Sequence, residues 1–321
     1  MTRILITAIG GDIAQAAASI IRQSLPDWSI VGVDMDTRHG GSLFVDQFSV
    51  APSALSDGYL DWLKKFIAEQ RIDYCLPMSE AELSVFAELD SDHVAGARLL
   101  WAGKLPVKIG CDKLKTADFI RAAGIPAPWT LAATEDAVPP EFPCLFKLRC
   151  SAGSKAVFVC KSLDEVYFFR KRYPEAVLQE YLPGDDKEVT CAVYRSASGE
   201  IEVLQMLRRL VGGFTGWARV IDEPEITAQC RRLVEALDLR GAINVQLRMT
   251  AAGPRIFEIN PRFSSTLLMR HLAGFSDLLW LLDEVQGRPV RLQRPVAGTL
   301  LARTQGAVVL ATPSKENGNE H

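Results

Sequence analysis

The stretches Asn244-Val-Gln-Leu-Arg248 and Phe257-Glu-Ile-Asn-Pro-Arg262 carry amide, carboxylate and guanidinium groups where a buried β-hairpin would be apolar. Successive side chains of a strand point to opposite faces. Asn244, Gln246 and Arg248 therefore share one face of the first strand. This pattern predicts a hairpin with one polar face.

The second strand is expected to alternate in the same way. Ile256, Glu258 and Asn260 should lie on one face, with Phe257 and Ile259 on the other. The polar positions of both strands would then form one cluster.

Pairing of the strands depends on the turn between them, and Thr-Ala-Ala-Gly-Pro at residues 250–254 is typical of a turn. If it closes a regular hairpin in which Met249 pairs with Arg255, Gln246 lies opposite Glu258 and the two asparagines lie opposite each other. Mg²⁺ prefers hard oxygen ligands, completed by water and phosphate oxygens. An arginine two residues beyond the second asparagine would offset charge on a transferring phosphoryl group. The hairpin therefore predicts a site for Mg²⁺ and a polyphosphate.

The pattern Asn-x-Gln-(x)n-Glu-x-Asn-Pro-Arg resembles the metal-binding end of the ATP-grasp superfamily, in particular its carbamoyl-phosphate-synthase-like branch. The resemblance implies that Gln246, Glu258 and Asn260 bind Mg²⁺, with Mn²⁺ as an alternative ion. It implies that Arg262 stabilises the phosphoryl group. The alternative is a partly exposed hairpin with ordinary surface polar groups.

Upstream, a lysine ends the apolar stretch Phe142-Pro-Cys-Leu-Phe-Lys147, where a cation is costly unless an anion accompanies it. A loop of small residues follows at 150–155, and such loops let backbone N–H groups approach phosphate oxygens. The resemblance implies that Lys147 and the loop residues Gly153, Ser154 and Lys155 bind ATP phosphates. A surface hairpin with a snorkelling lysine is the alternative.

The stretch Gln179-Glu-Tyr-Leu-Pro-Gly184 resembles the hinge that holds adenine in these proteins. The resemblance implies that Glu180 and the backbone around Tyr181 and Leu182 bind the base. It also implies that Glu188 contacts ribose and that Lys113 contacts the nucleotide, although Lys113 could be an ordinary lysine at the start of a helix. Arg262, Lys147 and Asn260 are the predicted catalytic residues.

The acceptor site is predicted within residues 207–219, which occupy the corresponding segment of relatives. Arg208, Arg209 and Arg219 could grip an anion, with Trp217 as a wall. A solvated strand–loop–strand is an equal alternative. A second location for the acceptor is the stretch Pro77-Met-Ser-Glu80.

Residues 1–105 alternate apolar strands with amphipathic helices, which predicts an open parallel α/β sheet. A glycine turn at Gly10 and Gly11, with Asp34 ending the second strand, suggests dinucleotide binding. The full glycine fingerprint is missing, so a Rossmann-like fold without a nucleotide is favoured.

The fold class follows as an α/β ATP-grasp fold, in which a Rossmann-like domain precedes two α+β lobes that sandwich ATP. The predicted boundaries are 1–105 for the first domain, 106–182 and 183–310 for the two lobes, and 311–321 for a loose tail.

Composition excludes several classes of protein. The 321 residues carry a net charge of −3, which argues against a nucleic-acid partner. No apolar run reaches membrane-spanning length, so no membrane partner is expected. Seven scattered cysteines without a CxxC pair favour free thiols and a cytoplasmic location. A homodimer is one allowed assembly.

The resemblance implies a ligase that uses ATP and Mg²⁺ to activate a small, amino-acid-like carboxylic acid as an acyl phosphate. An amine or similar nucleophile then displaces phosphate, so formation of a carbon–nitrogen bond is favoured. The alternatives are an NAD(P)-dependent reductase and a protein that binds ATP without turnover.

Overall fold

The first sheet is built from the alternating strands and helices at the start of the chain. The computed structural model describes residues 1–150, 156–304 and 306–307. The elements of this part are β1 (Arg3–Ile6), α1 (Asp12–Ser24), β2 (Ser29–Asp34), a 3-10 helix (Gly40–Phe44), β3 (Gln47–Val50), α2 (Tyr59–Gln70), β4 (Tyr74–Leu76), α3 (Glu80–Phe86), β5 (His93–Val94) and β6 (Ala97–Leu99). The strand order is β3-β2-β1-β4-β6-β5, and every pairing is parallel except that of β5 with β6.

A capping box fixes the start of α3 beside the end of β4. The Ser79 hydroxyl accepts a hydrogen bond from the Glu82 backbone N–H, and the Glu82 carboxylate accepts from the Ser79 backbone N–H and hydroxyl. The buried Glu82 carboxylate also accepts from the Thr7 hydroxyl at 2.5 Å and the Tyr59 hydroxyl at 2.6 Å. This network holds Glu80, the first helical residue, at the edge of the sheet.

The second sheet follows two connecting helices, α4 (Lys104–Gly110) and α5 (Lys113–Ala122). Its elements are β7 (Thr130–Ala132), β8 (Cys144–Leu148), β9 (Val157–Cys160), α6 (Leu163–Arg172) and β10 (Ala176–Glu180), with the antiparallel strand order β7-β10-β8-β9. Cys144 and Phe146 of β8 are buried in a core with Val166 of α6. Alternation along β8 therefore turns Lys147 to the other face.

The third sheet is antiparallel throughout, with its strands in the order β15-β14-β11-β12-β13-β16. Its elements are a 3-10 helix (Asp185–Lys187), β11 (Glu188–Arg195), β12 (Ile201–Val211), β13 (Phe214–Ile221), α7 (Pro224–Ala236), β14 (Gly241–Thr250), β15 (Gly253–Asn260), α8 (Leu267–Leu272), α9 (Asp277–Val285) and β16 (Leu300–Ala302).

The two faces of the third sheet have different neighbours. One face packs against α7 and α5 through a core that includes Val245, Ile226 and Ile120. The other face is apolar near Tyr194 and Ala242, where it packs on α9. It becomes polar toward the opposite end of the strands, where Thr190 and Gln246 pair. This change along the strands places a polar surface next to the second sheet.

The predicted mixed α/β fold, with a parallel first sheet, is confirmed. The boundaries proposed after residues 105 and 182 fall between the sheets, but the first lies within α4, and α5, which the prediction gave to lobe 106–182, packs with α4 against β15. The tail proposed for residues 311–321 lies outside the described residues. Within the described residues, no helix is long and apolar enough to cross a membrane.

Candidate functional site

A cavity of about 430 Å³ lies between the second and third sheets. Eleven predicted site residues line it: Lys113, Lys147, Glu180, Tyr181, Leu182, Glu188, Arg208, Gln246, Glu258, Asn260 and Arg262. Arg248 adds a further cation, so in the described part of the chain five basic side chains and three glutamates face this space. Such an excess of positive charge suits a polyanionic ligand.

The hairpin pairs Gln246 with Glu258 and Asn244 with Asn260, as the sequence predicted. Its turn differs from the prediction, because Met249 pairs with Pro254 and the strand near the turn is shifted by one residue. A β-bulge between Gln246 and Leu247 compensates for that shift and restores the functional pairs.

The bulge changes which residues face the cavity. Phe257 is the extra residue, and it lines the cavity beside Glu258. Ile256 is fully buried in the core with Ile259. The prediction that Ile256 shares the face of Glu258 is therefore wrong, because an inserted residue reverses the alternation of a strand.

Glu188 anchors a buried charge network in the cavity. Its Oε1 accepts hydrogen bonds from Arg208 Nε at 3.0 Å and Nη2 at 2.5 Å, and its Oε2 accepts from Arg248 Nη2 at 2.8 Å. Burial raises the pKa of Glu188, but the two guanidinium groups outweigh burial and hold the pKa below its usual range. The carboxylate is therefore charged and fixed in orientation.

The network extends to the predicted metal ligands. Arg208 Nη2 donates to Gln246 Oε1 at 3.0 Å. The neighbouring Asn244 is fully buried, and its Oδ1 accepts from the Thr190 hydroxyl at 2.9 Å, while its Nδ2 has no partner among the described residues. Within the described residues, no three His, Cys, Asp or Glu side chains form a metal-binding group. A metal here would depend on amide oxygens together with Glu258.

Lys147 is a buried cation on the facing sheet. Its Nζ donates to Gln179 Oε1 at 2.8 Å and stands 5.1 Å from the centre of the Phe257 ring. Burial lowers the pKa of Lys147 to about 8, although Glu258 acts in the opposite direction. The lysine is therefore charged at neutral pH but loses its proton in the mildly alkaline range.

We expect the affinity for ATP and ADP to fall about tenfold per pH unit above pH 8, because the charged form of Lys147 attracts phosphate and its neutral form does not. In the absence of nucleotide, the stability of the folded protein changes with pH in the opposite direction. Burial favours neutral lysine, so the folded state gains stability as pH rises from about 8 toward the ordinary lysine pKa. Calorimetric titration with ADP between pH 7 and 9.5 measures the first effect.

The matched variant for this titration is Lys147→Met, which keeps the apolar stem and should bind ADP weakly with little pH dependence. Lys161→Met, at an exposed position, should titrate like the wild-type protein. A wild-type dissociation constant that stays level up to pH 9.5 would show that Lys147 does not bind phosphate.

The hinge residues lie at and just after the end of β10, and two of their polar groups have partners within the protein. Glu180 accepts from the Trp129 backbone N–H at 3.1 Å and from Arg255 at 2.6 Å. The Leu182 carbonyl accepts from Arg248. The sequence assigned no role to either arginine, although Arg248 shares the face of Gln246.

Lys113 begins α5 at the mouth of the cavity. Asp112 caps this helix, accepting from the backbone N–H groups of Leu114 and Lys115, and it also holds Arg149 at 2.9 Å. The Lys113 backbone N–H donates to the Arg149 carbonyl at 3.1 Å, which ties the helix start to the end of β8. The predicted phosphate-loop residues Gly153, Ser154 and Lys155 lie outside the described residues.

Arg262 joins the third sheet to the first domain. Its Nη2 donates to Glu80 Oε1 at 3.0 Å, and its Nη1 donates to the Phe263 carbonyl at 3.0 Å. The structure thus brings Glu80, predicted for the acceptor site, next to the predicted phosphoryl-binding arginine. Asn260 is buried at the same end of β15.

The remaining predicted acceptor residues do not reach the cavity. Arg208 lines it, but Arg209 pairs with Trp217 and Leu207 pairs with Arg219, so these four share the opposite face of the sheet. Arg209 and Arg219 are exposed there. The prediction that one acceptor site contains all four residues is therefore wrong. It overlooked the alternation of side chains along β12, which separates Arg208 from Arg209, Trp217 and Arg219.

The N-terminal glycine turn is filled by the protein itself. The Gly10 backbone N–H donates to Asp34 Oδ2 at 2.8 Å, and a Cβ at Gly10 would lie 2.6 Å from the His39 ring. Asp34 therefore binds the turn, and the space above it holds His39. This arrangement gives the reductase alternative no support.

Comparison with known protein families agrees with the nucleotide site that the residues of the cavity suggest. Residues 172–306 match the family described as "ATP-grasp in the biosynthetic pathway with Ter operon". This part of the chain, which contains the polar hairpin, is therefore similar to the ATP-grasp family. Residues 4–97 match the "PylC-like, N-terminal domain". The ATP-grasp match includes the hinge, Glu188 and the hairpin through Arg262, whereas Lys113 and Lys147 precede it.

Other similar proteins extend this result. A carbamoyl-phosphate synthase of Methanobrevibacter smithii is 26% identical over 232 residues, which are 68% of this chain and 59% of that protein. The chain therefore spans less than two thirds of the length of this curated relative.

The resemblance to the carbamoyl-phosphate-synthase-like branch is confirmed, and solved structures share the fold. N5-carboxyaminoimidazole ribonucleotide synthetase from Thermus thermophilus has a TM-score of 0.72 at 18% identity, covering 92% of this chain and 81% of that one. The biotin carboxylase domain of 2-oxoglutarate carboxylase from Hydrogenobacter thermophilus has a TM-score of 0.73 at 12% identity, covering 93% and 73%.

Proposed function

We propose that this protein is an ATP- and Mg²⁺-dependent ligase. It activates a small carboxylic acid as an acyl phosphate, which an amine or similar nucleophile attacks to form a carbon–nitrogen bond. ADP and phosphate are the other products. A cytoplasmic location and a homodimer stay predictions.

The observation that carries the proposal is the position of Lys147 across the cavity from the polar hairpin. The lysine belongs to the second sheet, yet its ammonium group stands over Phe257 of the third sheet. A buried cation is therefore held next to Glu258 and Asn260, the predicted oxygen ligands. This opposition of charge and oxygen donors suits a phosphoryl group bound between the sheets.

The donor set fits Mg²⁺. Gln246, Glu258 and Asn260 would hold the ion, which when bound draws negative charge from phosphate oxygens. The Gln246 amide oxygen accepts one hydrogen bond from Arg208, and a carbonyl oxygen has two lone pairs, so it keeps a second acceptor direction.

The other side chains would bind and orient the reactants. Lys113, Lys147 and Arg262 would contact phosphate oxygens, while the hinge and Glu188 would hold the nucleoside. A substrate carboxylate oxygen attacks the γ-phosphorus as ADP leaves. The nucleophile then attacks the acyl carbon, the carbon–oxygen bond to phosphate breaks, and the nucleophile's proton passes to solvent. Positioning and charge neutralisation supply the rate enhancement.

Hydroxylamine tests carboxylate activation without knowledge of the natural nucleophile, because it converts acyl phosphates into stable hydroxamates. We expect hydroxamate and phosphate to form in equal amounts with ATP, Mg²⁺ and the right class of carboxylate. Omission of ATP or Mg²⁺ should abolish both products. The readouts are the ferric–hydroxamate colour and phosphate release.

A thermal-shift titration accompanies this assay. A ligand that binds only the folded state raises its stability by RT ln(1+[L]/Kd), about 2.7 kcal/mol at a hundredfold excess over Kd. Mg²⁺-ATP should therefore raise the unfolding temperature. Stabilisation by NADPH instead, or stabilisation by Mg²⁺-ATP with no hydroxamate from any carboxylate, would reject the ligase.

A further inference from the structure

Arg303, just after β16, gathers three separate segments at one end of the cavity. Its Nη1 lies 3.2 Å from Asp12 Oδ2, its Nε donates to the Thr215 carbonyl at 3.0 Å, and its Nη2 donates to the Ser265 carbonyl. Its guanidinium group also stands 5.7 Å from the centre of the Phe214 ring. The first turn of α1, the β12–β13 hairpin and the loop after Arg262 therefore meet here.

This end is connected to the nucleotide site by a row of contacts. Arg208 binds Glu188 on one side and the Thr215 hydroxyl, at 3.3 Å, on the other. Thr215 then accepts from Arg303 through its backbone carbonyl. The Arg303 end thus lies on the side of Arg208 that faces away from the hinge. A second substrate would approach the phosphates from this end.

The walls of the Arg303 end are apolar. Ile13, Leu210 and Phe214 all line the cavity. Leu210 is 44% exposed and Phe214 is 46% exposed, although both side chains are large and hydrophobic. Exposed apolar side chains that line a concave site are typical of ligand contact.

The charged groups at this end are already balanced. Arg262 is paired with Glu80, and Arg303 is paired with Asp12. Ser264 and Ser265 also line the cavity. A second anionic group on the substrate would therefore compete with existing ion pairs, whereas an apolar group would cover Phe214 and Leu210.

We propose that the carboxylic acid substrate carries an apolar or aromatic side group, bound against Ile13, Leu210 and Phe214. The inference rests on the proposed ligase function and specifies its substrate class. The carboxylate lies toward Arg262, and the side group lies in the Arg303 end. Specificity then comes from burial of apolar surface, for which a single methylene group changes kcat/KM by about 10- to 200-fold.

The hydroxamate assay with a panel of L-leucine, L-phenylalanine, L-aspartate and glycine tests this assignment. We expect leucine or phenylalanine to exceed glycine and aspartate in kcat/KM by about tenfold or more. Phe214→Ala should lower the ratio of apolar substrate to glycine by about threefold or more. Phe168→Ala, which removes an exposed phenylalanine of α6, should leave that ratio unchanged.

Calorimetric titration of the same amino acids into protein saturated with Mg²⁺ and a non-hydrolysable ATP analogue separates the two proposals. Binding of leucine without hydroxamate would keep the apolar subsite and reject the ligase. Hydroxamate formed mainly from aspartate would keep the ligase and overturn the subsite. An unchanged substrate ratio in both Phe214→Ala and Ile13→Ala would also overturn it.

Discussion

Replacement of Glu258 by glutamine is expected to lower ATP consumption about 100-fold or more while the fold stays intact. Glu258 supplies the only carboxylate among the three proposed Mg²⁺ ligands, and the other two are amides. Glutamine keeps the size and shape of the side chain but removes the negative charge that a divalent cation needs. The assay is phosphate release with hydroxylamine and an accepted carboxylate, measured over a range of Mg²⁺ concentrations.

A second readout links this variant to Lys147. Because Glu258 raises the pKa of Lys147, its removal should lower that pKa below about 8. ADP affinity in Glu258→Gln should therefore begin to decline at a lower pH than in the wild-type protein. An effect on folding alone would not move this profile.

The matched control is Glu235→Gln, which removes an exposed carboxylate of α7. It should retain wild-type turnover and Mg²⁺ dependence. Wild-type turnover in a folded Glu258→Gln protein would instead exclude Glu258 as a metal ligand.

The polar hairpin was predictable because strand periodicity depends on local sequence alone. Gln246 and Glu258 pair as expected, even though the turn closes one residue out of the assumed register. The bulge at Phe257 could not be derived from the alternation rule, since the geometry of a hairpin turn and its bulges is set by packing as well as by sequence. Its consequence, Phe257 in the cavity and Ile256 in the core, was therefore missed.

The partners of the charged side chains were less predictable. Arg208 and Arg209 look equivalent in sequence, but alternation gives one to the cavity and the other to the opposite face. If β12 is taken to run to residue 211, the sequence alone places Arg208 and Arg209 on opposite faces of the sheet. The pairing of Arg255 with Glu180, 75 residues away, could be learned only from the tertiary structure.

The fold itself was predicted best where elements are long and periodic. The sequence predicts a strand over Glu188–Arg195, which β11 matches at both ends, and a helix over Pro224–Leu239, of which α7 forms all but the last three residues. The short strands β3 and β7 and the six-residue α8 were missed, because three to six residues carry too little periodicity to identify an element.

One structural pair holds the loop that follows Arg262. Arg270 of α8 and Asp277 of α9 are both fully buried, with Nε to Oδ1 at 2.9 Å and Nη2 to Oδ2 at 2.6 Å. Arg270 also donates to the Ser264 hydroxyl at 3.2 Å and stands over the Phe263 ring. Since Ser264 lines the cavity, this ion pair supports the site from behind.

Asp277→Ala is expected to destabilise the protein by about 3–5 kcal/mol, because it leaves the Arg270 charge buried without a partner. The double variant Arg270→Met with Asp277→Leu should recover most of that loss, since apolar side chains of similar volume need no partner.

Asp283→Ala is the matched control on the same helix. Its ion pair with Arg288 is partly exposed, and loss of such a pair costs about 1 kcal/mol or less. Urea unfolding followed by circular dichroism gives all three values. A loss in Asp277→Ala no larger than that in Asp283→Ala would show that the buried charges do not depend on each other.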